Sequence, residues 1–421
     1  MKKKKLCIVG LGYVGLPLAI EFSKHYEVFG FDISKERIKE LNSYYDRNNQ
    51  FTSKELKQNK NLKISFNSND IKDSNIYIIT VPTPIDKKLK PDLRLLIDAT
   101  KIVSKYLDKD NYIIFESTVY PGCVDNVCIP IIEKINKFKL NEDFYCGYSP
   151  ERINPGDKNN TLPTIKKVVA GSNSVALNFV YKLYKKIIRA GVHKVSNLRT
   201  AEAAKIIENV QRDLNIALVN ELALIFNKMD IDTEEVLEAA STKWNFHRYK
   251  PGLVGGHCIG VDPYYLTEAA KKIKYNPKLI LAGRQLNNSM PLKATEILIN
   301  FLKKKYKTNK IKSLKISLLG FAFKENCPDI RNTKIYDFYL NLKKNFKHVK
   351  VYDSEVSHKE VYQHYNLRLD KKLDSNCDVL ILAVPHNSLK KISKKILDSN
   401  KKIIFYDLKS IYPKNFSQIR L

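Results

Sequence analysis

Near its start the chain reads LCIVGLGYVGLPLAIEF, and the glycine spacing in that stretch limits the folds open to it. A short β-branched run, KKLCIVG, ends at Gly10. Gly10, Gly12 and Gly15 then fall in a G-x-G-x-x-G pattern, and LPLAIEFSKH continues with helical spacing. In a strand–turn–helix unit the first glycine makes the tight turn, the second lets the backbone approach a pyrophosphate, and the third lets helix pack on strand. An acid should follow about 20 residues on, ending a second strand, to hold ribose hydroxyls. EVFGFD supplies it as Asp32. An acid there repels a 2′-phosphate and favours NAD over NADP. The same stretch has two parts of an export signal, the lysines 2–5 and the uncharged run Leu6 to Ile20. The third part fails, because EFSKHYEVFGFD offers no small-residue cleavage site, and three glycines would weaken the apolar helix.

Strand–helix alternation continues beyond that unit. KLCIVG, EVFGFD, LKISF, IYIITVPTP and YIIFESTVYPG read as strands ending in loop chemistry, with LLIDATKIVSKYL helical between the last two. This predicts an α/β fold with a doubly wound parallel sheet. Ligands gather at the carboxyl ends of such strands, which places Thr80 to Pro84 and Glu116 to Gly122 near the cofactor. The pattern then returns. KISLLGFAFKEN echoes KLCIVGLGYVG, VKVYDSEVS echoes EVFGFDISK, CDVLILAVPHNS echoes SNIYIITVPTP, and KKIIFYDLKSIYP echoes NYIIFESTVYP. The chain therefore carries two Rossmann-like halves. In the second, Gly320 stands alone before Phe321 and Phe323, so a dinucleotide is not expected there.

Between the halves, TAEAAKIIENVQRDLNIALVNELALIFNKM has neither Pro nor Gly and keeps i, i+3, i+4 apolar spacing. It predicts one long helix with apolar surface to spare, and hence a homodimer. The expected domains are 1–198 for NAD, 199–300 for the central helix and a catalytic cysteine, and 301–421 for the second nucleotide.

Composition narrows the function classes. At 421 residues the chain has room for two to three domains. No apolar run reaches the roughly 18 to 20 residues of a membrane span. Seven cysteines without a C-x-x-C pair point to reduced thiols in the cytoplasm. The formal charge of +29 could serve nucleic acid, the reading from another class. Yet the lysines are scattered, and no arginine-rich arm, zinc-finger spacing or RNA-binding aromatic motif accompanies them. Solvated lysines are the simpler account, and they would still attract anionic substrates.

Three places could carry chemistry. In KPGLVGGHCIGVDPYYL four glycines surround Cys258, with Asp262 four residues on. Such glycine density is expected where substrate must reach a nucleophile. The other six cysteines read as small buried hydrophobes, and no second ligand pair completes a metal site at His257–Cys258. Lys205 and Asn209, four apart on the long helix, share a face suited to an oxyanion, or form a solvated face. YSPERINPGD presents Glu151 and Arg152 in a Pro/Gly-framed loop, where a carboxylate can be a general base or a salt-bridge partner.

These motifs resemble those of the UDP-glucose/GDP-mannose dehydrogenase family over nearly the whole chain. The resemblance rests on GLGYVGLP, SPERINPGD, AEAAKIIENVQRDLNIALVNELA, GLVGGHCIGVDPYYL and GFAFKENCPDIRNT, in family order. The last four, with STKWNF, look most like the branch acting on UDP-N-acetylhexosamines, which makes uronic acids for bacterial capsules and O-antigens. The resemblance implies a four-electron oxidation of a sugar C6 alcohol to a carboxylate with two NAD. Cys258 would form a thiohemiacetal and then a thioester. Glu151, assisted by Asp262, would activate water, Lys205 and Asn209 would stabilise the oxyanion, and Thr118 would sit by the reacting carbon. Gly10, Gly12, Tyr13, Val14, Gly15, Asp32, Arg37, Thr83, Thr118 and Arg331 would hold the cofactor. Glu151, Arg152, Lys205, Asn209, Arg248, Tyr249, Gly255 and Lys324 would hold the UDP-sugar.

One departure bears on specificity. NFHRYKPG brings His247, Arg248 and Lys250 where the family is more apolar. The sugar epimer is therefore open, and UDP-glucose, UDP-N-acetylmannosamine and GDP-mannose stand as alternatives. A single-oxidation alcohol dehydrogenase would leave Cys258 and the second half idle.

Overall fold

The computed structural model describes residues 3–86, 88–153 and 160–421. It forms two compact units, Met1–Glu208 with Tyr264–Tyr275, and Asn209–Pro263 with Asn276–Leu421.

The first unit is built on an eight-stranded sheet. Its strands are β1 (Lys5–Val9), β2 (Glu27–Phe31), β3 (Leu62–Ser65), β4 (Ile76–Ile79), β5 (Asn111–Phe115), β6 (Phe144–Tyr148), β7 (Lys167–Gly171) and β8 (Val192–Lys194). The order is β3-β2-β1-β4-β5-β6-β7-β8. Every neighbouring pair is parallel except β6 and β7. Strands covered on both faces must be apolar along their whole length. In β4 all four residues, Ile76 to Ile79, are buried accordingly. The helix Arg94–Ser104 lies between β4 and β5 in sequence, as its periodicity predicts, and buries Leu96, Ala99 and Val103. The strand order reverses between β1 and β4, which opens the binding crevice at their carboxyl ends.

The second unit holds a five-stranded parallel sheet of β9 (Lys315–Leu319), β10 (His348–Tyr352), β11 (Val379–Leu382), β12 (Ile404–Asp407) and β13 (Ile419–Arg420). Its order is β10-β9-β11-β12-β13. The set β10, β9, β11, β12 repeats β2, β1, β4, β5 in order and direction, as the four echoes in the sequence predict. Leu318, Phe338, Leu342 and Ile381 are among the side chains of its core, each fully buried.

The long helix runs over Leu198–Met229, two residues earlier than the segment that starts at Thr200. The division between the units falls inside it. No described helix is long and apolar enough to cross a membrane.

Candidate active site

The glycine turn is set by contacts that leave no room for side chains, except at one position. Gly10 sits at φ +92°, in the left-handed region. A Cβ on Gly15 would lie 1.7 Å from the Gly10 carbonyl oxygen. Thr80 locks the turn from β4, its hydroxyl donating to the carbonyls of Val9 and Gly10 at 2.9 and 2.8 Å. At Gly12, by contrast, a Cβ would meet nothing within 4 Å. The turn is open there. Asp32 is half-buried and accepts the N–H of Leu11 at 2.8 Å and that of Ser34 at 2.9 Å. That carboxylate follows β2 directly and ties the turn after β1. These residues fit NAD.

Arg37 serves the same turn from behind. Its Nε donates to the Leu11 carbonyl at 2.9 Å and its Nη2 to Asp46 at 2.8 Å, so this buried guanidinium braces the loop. Gln50 donates to the Tyr13 carbonyl, and Val14 is half-buried at the start of the helix Gly15–Ser23. Further along the strand ends, the Thr83 hydroxyl donates to the Thr118 carbonyl at 2.6 Å, and Tyr265 donates to the Thr83 carbonyl at 2.8 Å.

Glu151 follows β6 in the same unit and is buried. One carboxylate oxygen accepts the N–H groups of Arg152 and Ile153, and the other accepts from Lys167 at 3.2 Å. Burial alone would raise its pKa. The charge of Lys167, these hydrogen bonds and the charge of Lys205 outweigh that and hold it below the usual carboxylate range. Lys205 is thus brought into electrostatic reach of Glu151. Arg152 is turned onto Glu208 and the Lys166 carbonyl. Residues 154–159, the rest of the Pro/Gly frame predicted for this loop, lie outside the described residues.

Of the seven cysteines in the chain six are buried, and Cys258, in the second unit, is half-open. It lies four residues before the helix Asp262–Lys272, and its carbonyl accepts the N–H groups of Val261 and Asp262 at 3.0 and 2.8 Å. Asn209 donates to Asp262 at 2.5 Å, and both side chains are buried.

The glycines around Cys258 have a different cause from the one their density predicts. A Cβ at Gly255 would lie 2.7 Å from the Asn332 carbonyl oxygen, and one at Gly256, φ +84°, 2.8 Å from the Phe323 ring. At Gly252 it would lie 2.3 Å from the Lys409 ammonium. Close packing of the loop on the chain itself demands these glycines. Only Gly260 is free of close contact.

Arg331 is exposed and lays its fork on Asp329, its Nε 3.0 Å from both carboxylate oxygens. His257 stacks edge-on against Phe323, with Nδ1 3.6 Å from Asp329. Lys324 is half-buried in this segment. Arg248 and Lys250 both reach Glu234, at 2.5 and 2.9 Å, so two of the departing basic residues are tied to the helix Thr233–Ser241. Tyr249 between them is half-buried.

Sequence reasoning missed several groups. Lys167, Glu116 and Tyr184 form a buried cluster behind Glu151. Asn220 grips Gly252 by both N–H and C=O, at 2.7 and 3.1 Å, and is backed by Asn287 at 2.8 Å. Asn287 in turn donates to Asp213, which pairs with Arg284 at 2.6 Å. The available signal was a charged or amide residue set in an otherwise apolar run, as Glu116 is in YIIFESTV.

Three family models match the chain. Residues 4–188 match the NAD binding domain of the UDP-glucose/GDP-mannose dehydrogenase family, 199–289 its central domain and 317–414 its UDP binding domain. The chain belongs to this family. It is an NAD-dependent nucleotide-sugar dehydrogenase, and the open glycine turn lies in the family's NAD binding domain. A UDP-N-acetyl-D-glucosamine 6-dehydrogenase of Salmonella typhi is 48% identical over 99% of this chain and 98% of its own length. Protein CapL of Staphylococcus aureus is 47% identical over 97% of this chain and 96% of its own. Among solved structures, a UDP-D-ManNAc dehydrogenase from Pyrococcus horikoshii superposes with a TM-score of 0.88 at 31% identity, covering 97% of this chain and 96% of that one. Cys258 lies in the segment matched to the family's central domain, and Lys324 and Arg331 in that matched to its UDP binding domain.

Proposed function

We propose that this dehydrogenase oxidises the C6 alcohol of UDP-N-acetylglucosamine, or a close UDP-N-acetylhexosamine, to the uronic acid for a bacterial surface polysaccharide. The 48% identity to the Salmonella typhi enzyme across 99% of the chain carries the choice of sugar, and the likeness to CapL supports a capsule as its destination. The half-open Cys258 among six buried cysteines carries the choice of mechanism.

Bound NAD supplies the hydride acceptor for each of two oxidations. Gly10, Gly12 and Gly15 would give the pyrophosphate its backbone approach, and Asp32 would hold the ribose. Lys324 and Arg152 belong to the proposed UDP-sugar site. Once the C6 alcohol has become an aldehyde, the Cys258 sulfur adds to its carbon and a C–S bond forms. The resulting alkoxide needs donors, and Lys205 and Asn209 offer an ammonium and an amide; one such donor is worth about 100- to 1000-fold in rate. Loss of the second hydride from that carbon leaves a thioester. Glu151 takes a proton from water, the water oxygen bonds the thioester carbon, and the C–S bond breaks to give carboxylate and thiol. Asp262, tied to Asn209, keeps that amide oriented.

The functional division follows the three parts: 1–198 for NAD, 199–300 for the helix and cysteine, and 301–421 for UDP. The working form is a homodimer. Ile207, Leu218, Ile225 and Met229 are each at least 45% exposed and lie along one stripe of the long helix. Seven cysteines outside any disulfide fit a cytoplasmic enzyme.

The substrate test is a panel. Purified protein with NAD is offered UDP-N-acetylglucosamine, UDP-N-acetylgalactosamine, UDP-N-acetylmannosamine, UDP-glucose and GDP-mannose. The first should give the highest kcat/KM. A clear preference for UDP-glucose or GDP-mannose would overturn the N-acetylhexosamine assignment.

A further inference from the structure

We propose that Lys167 is the positioning residue for Glu151, and that Glu116 behind it sets how strongly Lys167 holds that carboxylate. The proposal rests on the reading of Glu151 as the group that activates water.

The topology explains why Lys167 is there. β7 runs antiparallel to β6, the one antiparallel pair among the described strands of the first sheet, and Gly147 faces Gly171 while Tyr148 faces Ala170. A parallel strand would have sent Lys167, its first residue, to the far edge of the sheet. Reversed, the start of β7 comes to the edge where β5 and β6 end, and Ser149 just past β6 donates to the Val168 carbonyl at 2.9 Å. Glu116 and Glu151 follow β5 and β6 at that same edge.

The Lys167 ammonium lies 2.5 Å from Glu116 and 3.2 Å from Glu151. Glu116 also accepts the Tyr184 hydroxyl, and the ammonium sits 5.6 Å over the Tyr184 ring. All three side chains of this support, Glu116, Lys167 and Tyr184, are at most 2% exposed. Lys205, from the long helix, also brings its charge to bear on Glu151, and Glu116 faces it as a like charge. A buried carboxylate without a cation would take a proton and stop being a base. A carboxylate alone with a lysine would be held so tightly that its lone pairs were weak. Here one ammonium is shared between two carboxylates, and the shorter bond goes to Glu116. Glu151 stays charged and fixed, yet its bond to Lys167 is the longer one.

This sharing depends on Glu116 keeping its charge. Burial pushes Glu116 up to about 7, against the pull of Lys167. Below that pH Glu116 takes a proton, the ammonium turns to Glu151, and Glu151 becomes a poorer base. Glu116→Gln holds the cluster in that low-pH arrangement at every pH.

The experiment is a single-turnover assay of full-length enzyme with NAD and UDP-N-acetylglucosamine. Thioester on Cys258 is followed by acid quench and peptide mass. Glu116→Gln should slow thioester hydrolysis about tenfold at pH 8.5, with the gap to wild type closing as pH falls to 6. A gap of constant size across that range would mean a merely structural role and would overturn the proposal. Lys167→Met gives an independent reading should Glu116→Gln fold poorly. Without the ammonium the two carboxylates compete for one proton, and the acid limb of hydrolysis should move to higher pH. An unmoved limb would overturn the proposal as well. Glu151→Gln in the same assay separates the two levels of the argument. If it hydrolyses at the wild-type rate, the role of Glu151 is wrong. If it is slow while the Glu116→Gln gap ignores pH, only the role of Glu116 and Lys167 is wrong.

Discussion

Asp353 accepts the backbone N–H of Phe321 at 2.6 Å, as Asp32 accepts that of Leu11 at 2.8 Å. Each acid ends the second strand of its own sheet and ties the turn after the first. The two carboxylates then part in chemistry. Asp32 is half-buried beside the open Gly12. Asp353 is fully buried and lies 3.2 Å from His386 Nε2. The Asn326 N–H donates to His386 Nδ1 at 2.8 Å, which puts the imidazole proton on Nε2, facing Asp353. The second sheet keeps the acid as a buried brace of its turn.

Opposite outcomes follow for the two acids. Asp32→Ala should weaken NAD binding and narrow its advantage over NADP, measured by fluorescence titration with the reduced forms NADH and NADPH. Asp353→Ala should leave that ratio unchanged and cost about 1 to 3 kcal/mol of stability in urea unfolding, as leaving buried N–H donors without their acceptor does. Equal effects of both variants on the NAD/NADP ratio would contradict the distinction.

The glycine turn makes a second contrast. Gly15→Ala drives a Cβ to 1.7 Å from the Gly10 oxygen and should cost about 1 to 3 kcal/mol in stability. Gly12→Ala meets no protein atom and should change stability by less than about 0.5 kcal/mol. It should still raise the NAD dissociation constant roughly tenfold, about 1.4 kcal/mol, by filling the pyrophosphate approach. Unfolding and NAD titration on both variants decide it.

Local pattern made much of this legible. Glycine spacing, strand runs and the absence of Pro and Gly in the long helix are short-range signals, and β1, β2, β4, β5 and their echoes fall where those signals predict. The supports of the site are long-range. Lys167 reads as one lysine among many, and its meaning depends on β7 running backwards beside β6. Asn220 reads as one polar position on a helix until Gly252 is seen against it. The glycines near Cys258 were visible, but their cause was not, because Asn332 and Phe323 lie more than 60 residues away in sequence.

Glu202 offers a pH test of stability. Its carboxylate accepts the N–H groups of Gly122 and Val124, and burial pushes it up to about 7 in spite of them, from an ordinary 4.5. Between those values the folded chain keeps a proton that the unfolded chain releases. Its contribution to stability is therefore full below 4.5 and is lost as pH rises through 7, at up to about 1.4 kcal/mol per pH unit. Glu202→Gln cannot titrate. Its destabilisation relative to wild type should be larger at pH 5 than at pH 8 in urea unfolding. A difference that grows with pH would contradict the assignment.

The exposed stripe on the long helix predicts an association. Wild type should scatter light as twice 48.6 kDa at micromolar concentration. Leu218→Glu with Ile225→Glu should scatter as 48.6 kDa, since both side chains are exposed within one chain. A double variant that keeps the wild-type mass would place the interface elsewhere.

The covalent role of Cys258 is the central claim, and one measurement bears on it most directly: NADH and uronate formed per UDP-N-acetylglucosamine consumed, with the mass of the Cys258 peptide followed in parallel. The account predicts two NADH and one uronate per sugar with little free aldehyde, because an adduct cannot diffuse away between the two oxidations. Glu151→Gln should accumulate the thioester mass on that peptide, and Cys258→Ser should lose turnover far more than substrate binding. One NADH per sugar with free aldehyde released, together with a Cys258→Ala variant of full activity, would contradict it.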